Sequence, residues 1–414
     1  MEHYNPIFSK VPTLRFAEFT DEWEKYELSH FVTRITRRNK NNESSLPLTI
    51  SAQYGLVDQI SFFNKTVASV DLSGYYLLYN GDFAYNKSYS NEYAWGAVKR
   101  LDKYEKGCLS SLYFVFRPND NVDSDYLTHY FESSKWHKGI SNIAGEGARN
   151  HGLLNMAVDD YFATKHYLPS LPEQKKIARI FNAITKRIEI QNKIISKYET
   201  LIKGLKHQLY TKKIRFYSHS EISFSKWEKK QLGEILSIST EKNGSRYSKE
   251  KILSVSDEYG VVNQIRLQGK SFAGQDISNY KVVKSGQIIY TRSPLAAKPF
   301  GIIKIVGVET GIVSPLYIVN TVKKGNDALF IYYLFDSPES TNNYLKPLVR
   351  AGAKHTMNIS NDEWLSGTVT VPCLEEQEMI AEFLESIDKK ISFEKKILEK
   401  LREQKTYLLS EMFI

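Results

Sequence analysis

The chain repeats itself, and the repeat limits its possible folds more than any other feature. Trp23-Glu24-Lys25-Tyr26-Glu27-Leu28 returns as Trp227-Glu228-Lys229-Lys230-Gln231-Leu232, 204 residues later. Tyr54 to Ile60 (YGLVDQI) returns as Tyr259 to Ile265 (YGVVNQI), and Gly81 to Ser88 as Gly286 to Ser293, both at an offset of 205. Ser110 to Tyr113 (SSLY) returns as Ser314 to Tyr317 (SPLY) at 204, and Pro169 to Gln174 (PSLPEQ) as Pro372 to Gln377 (PCLEEQ) at 203. Any one match is weak. Five in the same order at a nearly constant offset are a tandem duplication. The period is far longer than the roughly 20–50 residues of a solenoid repeat. Each half is therefore expected to share one fold, so that the pair mimics a symmetric dimer.

Within each half the pattern changes once. Residues 20–168 and 224–371 read as mixed α/β. Short β-rich runs (Tyr75–Tyr79, Leu112–Phe116, Ile288–Tyr290, Gly301–Val306, Tyr317–Val319) alternate with helical stretches such as Tyr126–Ser133 and Ala328–Asp336. From Ile177 the period becomes four–three: Ile177, Phe181, Ile184, Ile188, Gln191, Ile195, Tyr198, Ile202, Leu205, Leu209. The second half follows with Ile380, Leu384, Ile387, Ile391, Glu394, Leu398, Leu401, Lys405, Leu408, Met412. This is a coiled-coil seam, interrupted only by Gln191, Glu394 and Lys405. At about 1.5 Å per residue each helix is roughly 50–60 Å long, and a seam of that length needs a partner. Charge makes each helix the other's partner. Residues 172–217 hold 12 Lys or Arg against 3 Glu, and residues 375–414 hold 7 against 10 acids. Gln191 and Glu394 occupy equivalent points, which favours antiparallel pairing. The expected fold is α+β: two tandem, pseudo-twofold-related α/β domains separated by two long helices in an antiparallel coiled coil. The expected boundaries are 1–168, 169–217 (helix), 218–371 and 372–414 (helix).

The net charge of +9 suits a polyanion partner, but the first helix alone supplies all of it. A uniformly basic globular surface is thereby excluded, and contacts with nucleic acid must come from local patches. No apolar run is long enough for a transmembrane helix, and no secretory signal opens the chain, so a cytoplasmic location is expected. Cys108 and Cys373 stand apart, and the nine histidines form no ligand-spaced pair, so no metal site is expected. There is no P-loop, and Gly145-Glu146-Gly147 lacks the third glycine of a dinucleotide fingerprint.

Two globular units, each followed by a long helix opening Pro-x-Leu-x-Glu-Gln-x-x-Ile-Ala (Pro169 to Ala178, Pro372 to Ala381), resemble the DNA-specificity subunit of type I restriction–modification systems. The resemblance covers about residues 11–414. It implies two target-recognition domains, each reading one half of a bipartite, asymmetric double-stranded DNA sequence. It implies paired helices that set the spacer and dock two adenine methyltransferase subunits, with restriction–translocase subunits joining them. The chain itself would be non-catalytic and would hold no cofactor. S-adenosylmethionine, ATP and Mg would belong to the partner subunits. The alternatives are a stand-alone enzyme modifying nucleic acid, or a coiled-coil scaffold without a DNA role.

Phosphate contacts anchor and base-edge contacts specify, and Arg, Lys and Asn serve both. The candidates for DNA contact are the basic run Arg34, Arg37, Arg38 and Lys40, and Arg246 with Lys242 and Asn243 at the comparable place in the second half. Asn86, Lys87 and Ser88 follow a β-like run and match Thr291, Arg292 and Ser293. Arg149 and Asn150, in a Gly-rich stretch, match Lys354 and His355.

Overall fold

The sequence repeat is a repeat of topology. The computed structural model describes residues 10–65, 68–69, 71–90, 93–144, 152–217, 224–296, 298–351 and 357–414, except the side chains of residues 350, 351, 357 and 358. In the first half an antiparallel sheet runs in the order Val32–Arg34, Phe114–Pro118, Phe83–Asn86, Ala97–Arg100. In the second half the order is Leu236–Ile238, Ile318–Val322, Ile288–Tyr290, Ile303–Ile305. Two-stranded pairs match likewise: Glu24–Glu27 with Lys165–Leu168 and Glu228–Gln231 with Thr368–Val371 close each domain, joining its start to the segment before its long helix. The strand Ile288–Tyr290 and the helix Ala328–Asp336 have the expected bounds, and the other expected strands are found with ends shifted by up to three residues.

Alternation along the central strand explains why it is buried on both faces. Phe83 and Tyr85 enter a large aromatic core, while Ala84 faces a smaller core under the hairpin Leu48–Ser51/Gly55–Asp58. Ile288 and Tyr290 do the same against Ile289 in the second half. The repeated Tyr-Gly is the hairpin tip. Gly55 (φ +80°) and Gly260 (φ +72°) take the left-handed conformation that the turn needs, and Tyr54 and Tyr259 stand exposed beside them.

The repeated Glu-Gln at the start of each long helix has a definite structural task. The first long helix is Leu171–Tyr210 and the second is Leu374–Glu411. Glu173 is buried and receives both arms of Arg15, at 2.7 and 2.8 Å. Glu376 is buried and receives Arg215, at 3.1 and 2.6 Å. Gln174 accepts from the Asp123 amide (2.7 Å) and donates to the Pro169 carbonyl (2.8 Å). Gln377 does the same with Asp327 (3.0 Å) and Pro372 (2.9 Å). Each helix start is thus tied to the chain entering its domain and to the N-cap of a domain helix.

The chain divides into two compact units, and each takes half of both long helices: Met1–Ile194 with Glu394–Ile414, and Ile195–Phe393. In the first unit the pairing is antiparallel. Phe181 stacks on Phe413 (5.6 Å between centroids), Lys405 Nζ reaches Thr185 Oγ1 (2.9 Å), and Gln191 Nε2 donates to the carbonyl (3.1 Å) and carboxylate of Glu394. The expected Gln191–Glu394 meeting occurs, and both residues are buried. The apolar seam is buried at Ile177, Phe181, Ile184, Ile195, Ile202, Ile380, Leu384, Ile391, Leu398 and Leu401, and half-buried at Ile188, Leu205, Ile387 and Leu408.

Lys405 breaks the apolar pattern for a reason that the seam alone does not reveal. It reaches the Glu132 carboxylate (2.9 Å), which His129 also contacts (2.9 Å). Burial works to raise the Glu132 carboxyl, but these two partners outweigh it and hold it at about 2. In the second unit Lys206 reaches Asp336 (2.5 Å), the residue matching Glu132. In each unit, then, a carboxylate of the globular domain grips the long helix that belongs to the other half of the sequence.

Removing one partner of a buried ion pair strands the other charge. Arg15→Ala and Arg215→Ala are each expected to cost about 3–5 kcal/mol in denaturant unfolding. Lys10→Ala, which breaks an exposed pair with Glu22, should leave the unfolding midpoint close to that of the unmodified chain. Equal losses for the buried and exposed pairs would refute the anchoring role.

Candidate nucleic-acid interface

A recognition surface needs polar groups that the fold itself does not consume. By that criterion the loop after Val32–Arg34 divides sharply. Asn39 is fully buried, donating to the Ser44 carbonyl (2.9 Å) and accepting from the Ser44 amide (3.1 Å). Asn243 makes the same clamp with Tyr247 at 3.0 and 2.9 Å. Arg37 donates to the Leu77 carbonyl (3.0 Å) and to buried Asp82 (2.7 Å), with its guanidinium over Tyr79, and Arg117 closes on the other Asp82 oxygen (2.6 Å). Arg38 donates to the Gly74 carbonyl (2.7 Å) and stacks on Tyr76. Both guanidinium groups are engaged within the domain. Lys40 is exposed, and Arg34 makes a long 3.8 Å approach to exposed Asp159. Arg246 is paired with Glu241, which Lys284 also contacts (2.7 Å), and Lys242 donates to Asn279 (3.0 Å). The two loops therefore share a backbone clamp and differ in their charge pattern.

The end of the central strand differs from these loops. Tyr85 donates its hydroxyl to the Trp95 carbonyl (2.9 Å), and Tyr290 donates to the Phe300 carbonyl (2.6 Å). Gly96 (φ +79°) lies so close to this strand end that a Cβ there would stand 2.1 Å from the Asn86 carbonyl oxygen, and Gly301 (φ +106°) is crowded likewise by Tyr290 and Arg292. The turn clamps the three residues that follow the tyrosine. Asn86 accepts from the Ser88 amide (2.9 Å), while buried Thr291 accepts through Oγ1 from the Ser293 amide (3.3 Å) and the Ile302 amide (3.3 Å). Lys87 lies over the Phe114 ring (4.7 Å). Arg292 adopts φ +57°, unusual for a residue with a side chain. Its Nη2 reaches Asn361 at 3.4 Å, and its Nε is buried without a partner.

Lys87 and Arg292 thus occupy one framework position, half-buried, with no carboxylate partner among the described residues. Burial lowers the pKa of both, as expected for cations left short of counter-charge. Ser88 and Ser293 are exposed beside them. The chain at Gly152–Leu154 pairs with the same place: the Leu154 amide donates to the Lys87 carbonyl (2.9 Å) and the Tyr89 amide to that of Gly152 (3.0 Å). Arg149, Asn150, Lys354 and His355 lie outside the described residues. No helix among the described residues is long and apolar enough to cross a membrane.

Sequence reasoning missed Arg15 and Arg215. Their Leu/Ile-Arg-Phe context does repeat, but at an offset of 200, outside the narrow range of the other motifs. It also missed a buried ionic cluster in the second half. There Lys298 and Lys304 meet Asp257 at 2.6 and 3.1 Å, and Lys304 also approaches Asp336 at 3.7 Å.

If the strand-end cations face DNA, Lys87→Ala and Arg292→Ala should each weaken duplex binding and reduce the slope of log K against log salt by about 1. Arg37→Ala should instead lower stability and leave that slope unchanged in the folded protein. A salt slope that ignores both strand-end changes would remove these residues from the interface.

The chain is 24% identical over 421 residues to the putative type I restriction enzyme MjaX specificity subunit of Methanocaldococcus jannaschii, covering 95% of this chain and 93% of that one. It is 26% identical over 323 residues to the type I restriction enzyme MjaVIII specificity subunit of the same organism, covering 74% and 73%. In fold it is similar to the S subunit of a type I restriction–modification system from M. genitalium (TM-score 0.55, 16% identity, 98% and 99% covered). It is also similar to a chain solved in work on complex assembly and conformational transition of the type I R-M system (TM-score 0.51, 16% identity, 94% and 97% covered). The family model for the type I restriction modification DNA specificity domain matches twice, at residues 21–200 and 225–403, each match taking in one recognition domain and most of its long helix. With both halves matched over most of their length, the chain belongs to the type I restriction–modification DNA specificity family.

Proposed function

We propose that this chain is the non-catalytic subunit that selects the DNA target of a type I restriction–modification complex. Each recognition domain reads one half of a bipartite, asymmetric sequence, and the paired helices hold the two half-sites at a fixed separation. The helices also dock two adenine methyltransferase subunits, and restriction–translocase subunits complete the assembly. S-adenosylmethionine, ATP and Mg enter with those partners.

One observation carries this reading. The two halves set at the same strand end a cation with no carboxylate partner among the described residues, but one is Lys beside Asn86 and the other is Arg beside Thr291. Lys offers a point charge with rotatable donors, whereas Arg offers a planar fork suited to bidentate pairing with guanine. One framework with different reading groups suits two different half-sites. A true homodimer would carry the same group twice and read a palindrome.

Exchanging residues 20–168 for the matching domain of another specificity subunit, then mapping the methylated motif, should change one half of the target and leave the other half and the spacer intact. A change in both halves would defeat the modular reading.

A further inference from the structure

Set over one another, the two halves differ at one place in a way that framework repetition does not explain. Lys99 and Glu132 of the first half match Lys304 and Asp336 of the second, so one cation and one carboxylate are kept. Their neighbours are not. Asp257 is matched by Ala52, and Lys298 by Tyr93. In the second half Asp257 accepts from both Lys298 and Lys304, and all four charged groups close into a packed cluster. In the first half the same place is an open cleft of about 980 Å³, lined by Ala52, Tyr54, Tyr93, Lys99, Arg402 and Lys405 among others. All of its lining belongs to the first compact unit.

The charges in this cleft do not balance. Its carboxylate, Glu132, is already taken by His129 and Lys405. The side-chain amine of Lys99 has no hydrogen bond or ion pair among the described residues, and burial lowers its pKa despite the nearby Glu132. Three cationic side chains therefore face the cleft against one committed carboxylate. A half-buried cation left short of counter-charge in this way favours an anion beside it. Tyr54 and Tyr93 give the wall flat apolar surface, and the volume lies within the usual range of about 300–1,000 Å³ for ligand sites.

We infer that the cleft takes a phosphate group, which Lys99 receives with Arg402 beside it, supplied either by a free nucleotide or by the backbone of bound DNA. The second half supplies its own anion in Asp257 and has no such site. Only the DNA source rests on the target-reading proposal.

The test uses the full chain, Lys99→Gln and Ala52→Asp. Ala52→Asp restores the carboxylate that the second half carries at this place, so it should fold and fill the cleft's charge deficit from within. In the first arm, inorganic phosphate is compared with chloride at equal ionic strength in thermal melts. A melting temperature raised by phosphate in the unmodified chain, and in neither variant, upholds the site with a free phosphate as its ligand. In the second arm, duplex DNA affinity is followed against salt. A slope reduced by about 1 in both variants, without a phosphate effect on melting, upholds the site with the DNA backbone as its ligand. If the variants match the unmodified chain in both arms, the inference is overturned. If the chain binds no duplex at all, the target-reading proposal fails and the phosphate arm alone decides this one.

Discussion

The structure depends on antiparallel pairing of two helices that lie in different halves of the sequence. Neither seam is stable alone, because a stripe of isoleucine and leucine some 40 residues long cannot remain in water. Once the helices pair antiparallel, the first unit must be built from the start of one helix and the end of the other, as the division at Ile194 and Glu394 records. The polar interruptions fix this pairing rather than weaken it. Gln191 donates to Glu394 inside the seam, and a one-turn slip would part these two buried groups.

From that pairing follows the attachment of each recognition domain to both helices. Arg15–Glu173 and Arg215–Glu376 lock a domain to the start of its own helix. Lys405–Glu132 and Lys206–Asp336 lock it to the helix from the other half. A domain held at two such points is oriented as well as tethered. A reading subunit needs that orientation, because a rotated recognition surface would lose its register on the duplex.

Much of this was legible in the residues. The repeat, the helix seam, the meeting of Gln191 with Glu394 and the strand-end triplets could all be read from spacing, because coiled coils and strand ends impose regular patterns. The rest depends on contacts between residues far apart in the chain. Arg37 and Arg38 look like surface cations in RITRRNKNN, but Asp82 lies 45 residues from Arg37, and only the fold brings it near enough to take that guanidinium. Lys405 looks like a flaw in the seam until Glu132 is seen opposite. The cleft beside Lys99 was invisible for the opposite reason, since it arises from what Ala52 fails to supply.

The central claim is that this chain chooses one asymmetric bipartite DNA target through two unlike copies of one reading domain. The most direct measurement is a map of N6-methyladenine across genomic DNA of the source organism, with and without this gene. The account predicts that methylation at a single motif disappears, and that this motif has two different half-sites separated by an unread spacer of constant length. Loss of methylation at a palindrome or at a continuous site would contradict it.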